Sequence, residues 1–116
     1  MEYTGKVMGG SARAHTLGFP TANIVLTDDT ISGVYAARVV FKNTDYQAVA
    51  FADPGRGILE AHLFDFSGSL YGEEIAVTLI EKIRESETFT DDEALKAAMV
   101  RDAEKARTVR ECRDVS

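Results

Sequence analysis

Apolar and polar residues alternate along much of the chain, which is the period of a strand with one buried face. In residues 34–41, for example, Tyr35 and Val39 fall on one face and Arg38 on the other. The same period predicts strands at 34–41, 46–52, 58–66 and 75–84. Turn-forming residues separate them at 43–45, 54–57 and 67–69. Successive strands joined by short turns predict an antiparallel meander or a closed barrel.

Two of these runs carry specific expectations about side-chain direction. In residues 58–66, Glu60 shares a face with His62, Phe64 and Phe66, whereas Leu59, Ala61 and Leu63 share the opposite face. Glu60 is then either partly desolvated beside aromatic rings, which would raise its pKa, or a solvated rim residue. In residues 75–84, the pattern places Ile83 on the face of Ile75, Val77 and Leu79.

The pattern changes to a helical period near the C-terminus. Thr90 followed by Glu93 predicts a capping box at the start of a helix. The positions that follow at helical spacing are Leu95, Ala98, Met99, Asp102, Ala103 and Ala106. Acidic residues in the first turn and basic residues in the last suit the helix dipole. We expect this helix to cover core, on the outside or across an open end of the sheet.

Composition limits the classes of partner. A chain of 116 residues that is 45% apolar is expected to form one domain, residues 1–116. The net charge of −6 comes entirely from the second half, so nucleic acid is not an expected partner. No apolar run approaches twenty residues, and Cys112 is the only cysteine, so we expect no membrane span and no internal disulfide. A cytoplasmic monomer is the default.

The segment from Leu17 to Ile24 carries the clearest candidate chemistry. Thr21 and Asn23 lie two residues apart, so in an extended chain they present neutral oxygens on one face. Such oxygens suit a hard cation and its phosphates. Taken alone, this segment is better explained as a loop leading into a strand, with Thr21 and Asn23 bonded to nearby backbone.

Further segments occur in an order and spacing that resemble the riboflavin kinase family, including the kinase half of bacterial bifunctional FAD synthetases. The resemblance extends from about Gly5 to about Arg107. The segments that carry it are Gly5-Lys6-Val7, Leu17 to Ile24, Gly33 to Ala36, Leu59 to Phe66, Leu70-Tyr71-Gly72 and Ile83-Arg84-Glu85. The resemblance implies a small closed antiparallel β-barrel with a C-terminal helix. It also implies phosphorylation of riboflavin to FMN by ATP with Mg²⁺, and a missing adenylyltransferase half.

The resemblance assigns roles to individual residues. Thr21 and Asn23 would hold Mg²⁺ and phosphate, and Glu60 would be the catalytic base beside the flavin. Other nucleotide-binding residues would be Gly9, Arg13, His15, Gly18, Leu70 and Tyr71. Arg84 and Phe89 would contact the flavin, and their alternatives are a surface salt bridge and an apolar residue at the start of the helix. Leu70 and Tyr71 also suit the start of an ordinary strand.

Departures from the family pattern support a second hypothesis. Ala14-His15 stands where relatives commonly have a basic residue, and Phe51 stands where they have Asn. The loop before Glu60 is cut to a tight turn at residues 53–57. These changes favour a catalytically weak relative that binds flavin or nucleotide as a sensor or accessory subunit. A barrel used only for protein contacts is a third hypothesis, although it leaves Thr21, Asn23 and Glu60 unexplained.

Overall fold

In the part of the chain that the structure describes, six strands form a single antiparallel sheet that curls into a nearly closed barrel. The structure is a computed structural model, and it describes residues 2–9, 21–66 and 68–109. The strands are β1 (Glu2–Lys6), β2 (Ala22–Val25), β3 (Gly33–Phe41), β4 (Thr44–Asp53), β5 (Ile58–Leu63) and β6 (Glu74–Arg84), and helix α1 is Asp92–Thr108. Their order is β1-β6-β3-β4-β5-β2. Met8 and Gly9, which follow β1, bond to Asn23 in β2 and bring the two edges together. The predicted barrel with a C-terminal helix is confirmed.

Strands β3 to β6 lie where alternation predicts them, but β1 and β2 were not predicted. No residue of β1 is fully buried, so its sequence lacks an apolar face. Strand β2 has only four residues, three of them consecutively buried. Neither strand contains enough alternation to be recognised, since pairing with β6 and β5 defines them.

Several predicted boundaries are wrong. The β3–β4 turn lies at Lys42 and Asn43, whose φ values of 51° and 65° are those of a type I′ hairpin, so Asp45 belongs to β4. Strand β5 ends at Leu63, and Asp65 has a φ of 58°. This left-handed residue ends the alternation, so Phe66 packs against the barrel core rather than on the face of Glu60.

The helix begins one residue later than the capping box predicts. Its N-cap is Asp91 rather than Thr90, because the carboxylate of Asp91 accepts a hydrogen bond of 3.1 Å from the backbone N–H of Glu93. An aspartate satisfies the free N–H groups of a first turn as well as a threonine does. The expected acidic first turn and basic last turn are both present.

Two apolar clusters lie on opposite faces of the sheet. The larger fills the barrel, and its largest fully buried side chains are Ile24, Val39, Leu59, Ile75 and Val77. The smaller joins Ala36 and Phe64 to Ala106 and Val109 at the end of the chain described by the structure. Helix α1 therefore packs on the outer face, against β3, β4 and β6. Among the described residues, no helix is both long and apolar enough to cross a membrane.

Strand β6 departs from regular alternation at two points. Its register against β3 skips Ile80 and Ile83, so each is an extra residue at a bulge. A bulge redirects the side chains that follow it. Ile80 and Ile83 consequently pack with the smaller cluster under α1, and the prediction that Ile83 faces the barrel with Ile75 is wrong.

We expect Gly33→Ala to destabilise the protein by about 3 kcal/mol. A non-glycine residue is strained at the φ of +104° of this position, and the new Cβ would also lie 2.6 Å from the carbonyl oxygen of Arg84. Gly72→Ala is the matched control. Gly72 has a φ of +81°, but a methyl group added there would have no atom within 4 Å, so only the backbone cost of about 1 kcal/mol applies. Urea denaturation of both variants measures the difference, and equal losses would contradict the clash.

Candidate active site

A cavity of about 340 Å³ lies on the outer face of the sheet, beneath helix α1. Its floor is formed by residues of β3, β4 and β5, and one wall by residues 86–89, which connect β6 to α1. Leu95, Met99 and Asp102 of α1 complete the lining. The volume and the mixture of apolar and charged groups are those of a small-molecule site.

Glu60 is a buried carboxylate in the floor of this cavity. Only 8% of the residue is exposed, because Leu59 and Ala61 point into the barrel and direct Glu60 towards the outer face beneath α1. Burial raises the pKa of Glu60, while the nearby charge of Arg56 and a hydrogen bond from Thr21 act in the opposite direction. Of the two alternatives given by the sequence, the desolvated carboxylate is confirmed, and the solvated rim is not.

Thr21 and Asn23 adjoin the same carboxylate. Thr21 Oγ1 donates a hydrogen bond of 3.3 Å to Glu60 Oε2. Asn23 belongs to β2 and lies directly opposite Glu60 in β5, so their side chains emerge on the same face. Within the described part of the chain, the buried Oδ1 of Asn23 has no hydrogen-bond partner. An unsatisfied buried oxygen is costly, so this atom is available to a bound group.

The neutral oxygens of Thr21 and Asn23, which lie beside the carboxylate of Glu60, are of a kind that Mg²⁺ accepts as ligands. The ion is usually held by one or two carboxylates, with water and substrate phosphates completing its six ligands. Over residues 2–9, 21–66 and 68–109, no group of three His, Cys, Asp or Glu side chains could hold a metal. A cation here would therefore depend on neutral oxygens and on its phosphate ligands, as the sequence predicts for Thr21 and Asn23.

Arg84 joins the end of β6 to helix α1 through a bidentate ion pair. Its Nε and Nη2 donate to the two carboxylate oxygens of Asp102 at 2.9 and 2.8 Å. Asp102 is 7% exposed, and its hydrogen bond raises the pKa of Arg84. The guanidinium also donates to the carbonyl oxygen of Glu85 and lies 5.7 Å from the ring centre of Phe89. The pair therefore fixes the segment that forms one wall of the cavity.

Of the remaining predicted residues, those that the structure describes lie around the end of the barrel. Gly9 accepts a hydrogen bond of 2.7 Å from the backbone N–H of Asn23. Leu70 is buried in the barrel core and Tyr71 is exposed, and neither lines the cavity. The N–H of Gly72 donates to Val7, which places this turn beside the strand that leads to Gly9. The predicted residues Arg13, His15 and Gly18 lie outside the described residues.

Sequence reasoning missed three charged residues of the cavity, namely Arg56, Glu87 and Asp102. Asp102 was identified only as a position on the helical face, although a carboxylate in an otherwise apolar stripe is itself a signal of a buried partner. Arg56 was interpreted as part of a turn, because it stands between Gly55 and Gly57. Its Nη1 lies 3.6 Å from Asp53 Oδ2 and 4.0 Å from Glu60 Oε1.

Comparisons with known proteins identify the family. Residues 1–110 match the family model described as Flavokinase: Riboflavin kinase. The chain is 36% identical over 114 residues to a bifunctional riboflavin kinase/FMN adenylyltransferase of Pseudomonas fluorescens, matching 90% of this chain and 37% of that protein. The chain thus spans little more than a third of this curated relative.

Two solved structures share the fold. A riboflavin kinase of Trypanosoma brucei has a TM-score of 0.63 at 23% identity, over 91% of this chain and 76% of that one. A structure described as a macrolide-efflux protein of Streptococcus pneumoniae has a TM-score of 0.79 at 32% identity, over 93% of this chain and 38% of that one. The efflux description belongs to that protein alone, because most of its length has no counterpart here.

We expect removal of either partner of the Arg84–Asp102 pair to destabilise the protein by about 1–3 kcal/mol, since it leaves the other charge poorly solvated and unpaired. Arg84→Met and Asp102→Asn, measured singly and together by chemical denaturation, form a double-mutant cycle. The double variant should lose less than the sum of the two single variants. Strict additivity would show that the pair contributes no coupling.

Proposed function

This chain belongs to the riboflavin kinase family, and we propose that it transfers the terminal phosphoryl group of ATP to the primary hydroxyl of riboflavin, producing FMN and ADP. The observation that carries the proposal is the buried carboxylate of Glu60, which faces the cavity and is flanked by Thr21. Riboflavin and ATP are proposed here as substrates because the family uses them, and the chain corresponds to only part of its bifunctional relatives.

In the proposed reaction, Glu60 is the base that removes the hydroxyl proton of riboflavin. As the hydroxyl oxygen of riboflavin bonds to the terminal phosphorus, the bond between that phosphorus and ADP breaks, and Glu60 accepts the hydroxyl proton. A base must be within hydrogen-bond reach of the proton and must have a pKa suited to neutral pH. The exposure of Glu60 to the cavity and the upward shift of its pKa by burial support this role.

The apolar lining of the cavity supports a flat aromatic ligand. Val49 and Phe51 of the floor, Phe89 of the wall, and Leu95 and Met99 of α1 are apolar lining residues. An isoalloxazine ring would exclude water from these side chains, and its ribityl chain would extend towards Glu60. We therefore place the flavin in this cavity, with Arg84 and Phe89 forming its wall.

We assign the nucleotide to the end of the barrel near Gly9, Asn23 and Leu70-Tyr71. Thr21 lines the flavin cavity and Asn23 bonds to Gly9 at this end, so the two residues would hold Mg²⁺ together with the phosphates. The ion would neutralise phosphate charge and so favour transfer. The unpaired Oδ1 of Asn23 among the described residues supports this assignment. Thr21 would also keep the carboxylate of Glu60 in its orientation through their hydrogen bond.

One feature favours the alternative of a flavin- or nucleotide-binding protein with weak catalysis. Phe51 lies directly opposite Glu60 across β4 and β5, and both residues line the cavity. A phenylalanine there offers no polar group to orient a ribityl hydroxyl, whereas the asparagine expected from the family pattern would. If this difference dominates, the protein binds riboflavin but does not form FMN.

We expect Glu60→Gln to reduce FMN formation by about 10²-fold to 10⁴-fold while leaving riboflavin binding largely unchanged, because the amide keeps the shape of the side chain but cannot accept the proton. Chromatography of FMN made from riboflavin, ATP and Mg²⁺ measures the rate, and quenching of riboflavin fluorescence measures binding. Glu74→Gln, at an exposed carboxylate of β6, is the control and should have no effect.

The same assay separates the two functions. Full activity in Glu60→Gln would reject Glu60 as the base. Flavin binding by the natural sequence without any FMN would reject the kinase and favour the sensor. Absence of both would leave only the hypothesis of a barrel that makes protein contacts.

We expect Asn23→Ala to raise the Mg²⁺ concentration needed for half-maximal activity by roughly tenfold, a typical cost of disturbing the surroundings of a bound metal. Calorimetry should also show that Mg²⁺ strengthens ADP binding about tenfold less in Asn23→Ala than in the natural sequence. Gln47→Ala is a matched control, because its buried Nε2 also has no partner among the described residues, but Gln47 pairs with Arg38 in β3, whereas Asn23 pairs with Glu60. An unchanged Mg²⁺ requirement in Asn23→Ala would reject this ligand.

A further inference from the structure

The cavity offers few available cations to the nucleotide phosphates that we place beside Thr21, one of its lining residues. In the described part of its lining, three carboxylates face two guanidinium groups: Glu60, Glu87 and Asp102 against Arg56 and Arg84. The terminal phosphates of a nucleotide bring further negative charge to Thr21 and Asn23, beside Glu60. A cationic side chain that can approach them would offset the repulsion.

Arg84 is already committed to another partner. Both oxygens of Asp102 accept hydrogen bonds from it, and its third contact is to the backbone of Glu85. Its side chain is 27% exposed and lies over Phe89. Turning this guanidinium towards a phosphate would leave Asp102 buried and unpaired, which is costly. Arg84 is therefore a structural cation.

Arg56 is held differently. Its side chain is 58% exposed, and its distances of 3.6 Å to Asp53 and 4.0 Å to Glu60 exceed those of direct hydrogen bonds. It lies on the short turn between β4 and β5, where a long flexible side chain has room to turn. The side chains of Asp53 and Glu60 are only 22% and 10% exposed, but at these distances the guanidinium breaks no direct hydrogen bond when it turns towards a phosphate.

We propose that Arg56 leaves its carboxylate partners and binds the terminal phosphates of the nucleotide. The proposal rests on the kinase function above and adds a residue to it. Arg56 and Thr21 approach opposite oxygens of Glu60, Oε1 and Oε2 respectively. A phosphoryl group held at Thr21 therefore lies beside the carboxylate that Arg56 already reaches. The arginine fork matches the geometry of phosphate oxygens.

Asp53 competes with the phosphates for this guanidinium. Its carboxylate pairs with the Arg56 side chain and also accepts a hydrogen bond of 3.3 Å from the Arg56 backbone N–H. Asp53→Asn keeps an oxygen for the backbone bond but removes the charge. This variant should release Arg56 and strengthen phosphate binding, so Asp53 and Arg56 are expected to have opposite effects on nucleotide affinity.

Calorimetry with ADP and AMP in the presence of Mg²⁺ tests the proposal, since ADP has a second phosphate that AMP lacks. Arg56→Gln should weaken ADP binding by about 10-fold to 100-fold and leave AMP binding nearly unchanged. Arg56→Lys should recover part of the loss, because it keeps the charge without the fork. Asp53→Asn should bind ADP more tightly, and this gain should shrink when Arg56 is also replaced by Gln.

The controls separate this inference from the kinase function. Arg101→Gln removes an exposed charge of α1 outside the lining and should leave both affinities unchanged. If the natural sequence makes FMN and binds ADP but Arg56→Gln binds ADP equally well, the role of Arg56 is wrong and the kinase stands. Equal losses for ADP and AMP also overturn it. If the natural sequence neither binds ADP nor makes FMN, both proposals fail.

Discussion

The burial of one carboxylate is the constraint on which the candidate site depends. Glu60 lies on a central strand whose neighbouring residues are required by the barrel core, so it cannot turn towards bulk water without disturbing Leu59 and Ala61. Its charge is instead offset locally by a hydrogen bond from Thr21 and by the nearby Arg56. The short strand β2 also contributes to the surroundings of this carboxylate, because its pairing with β5 places Asn23 opposite Glu60.

The second requirement is that helix α1 remain against the outer face of the sheet. Without the helix, the cavity would lose Leu95, Met99 and Asp102 from its lining and would be an open groove. The two bulges of β6 turn Ile80 and Ile83 outwards into the cluster that the helix covers. The Arg84–Asp102 pair then joins the end of β6 to the middle of the helix. Irregularity in β6 thus provides the apolar surface on which α1 packs.

Alternation predicted β3 to β6 because each has one face in the barrel core. It predicted the direction of Glu60 for the same reason, since the period of two is fixed over residues 59–63. The bulges could not be predicted, because they are defined by register against β3 rather than by the sequence of β6. The Arg84–Asp102 contact spans 18 residues and leaves no periodic trace. Nucleotide binding by Arg13, His15 and Gly18 remains a prediction from the sequence.

The two arginines of the cavity show why net charge is a poor guide to ligand binding in a chain of charge −6. Repulsion of a distant polyanion depends on the whole surface and is weakened by salt, whereas a bound phosphate interacts with groups a few ångströms away. What matters there is how strongly each cation is already held. A guanidinium with two short bonds to a buried carboxylate is unavailable, and one with only long contacts at an exposed turn is available. The same residue type therefore stabilises the fold at position 84 and remains free to exchange partners at position 56.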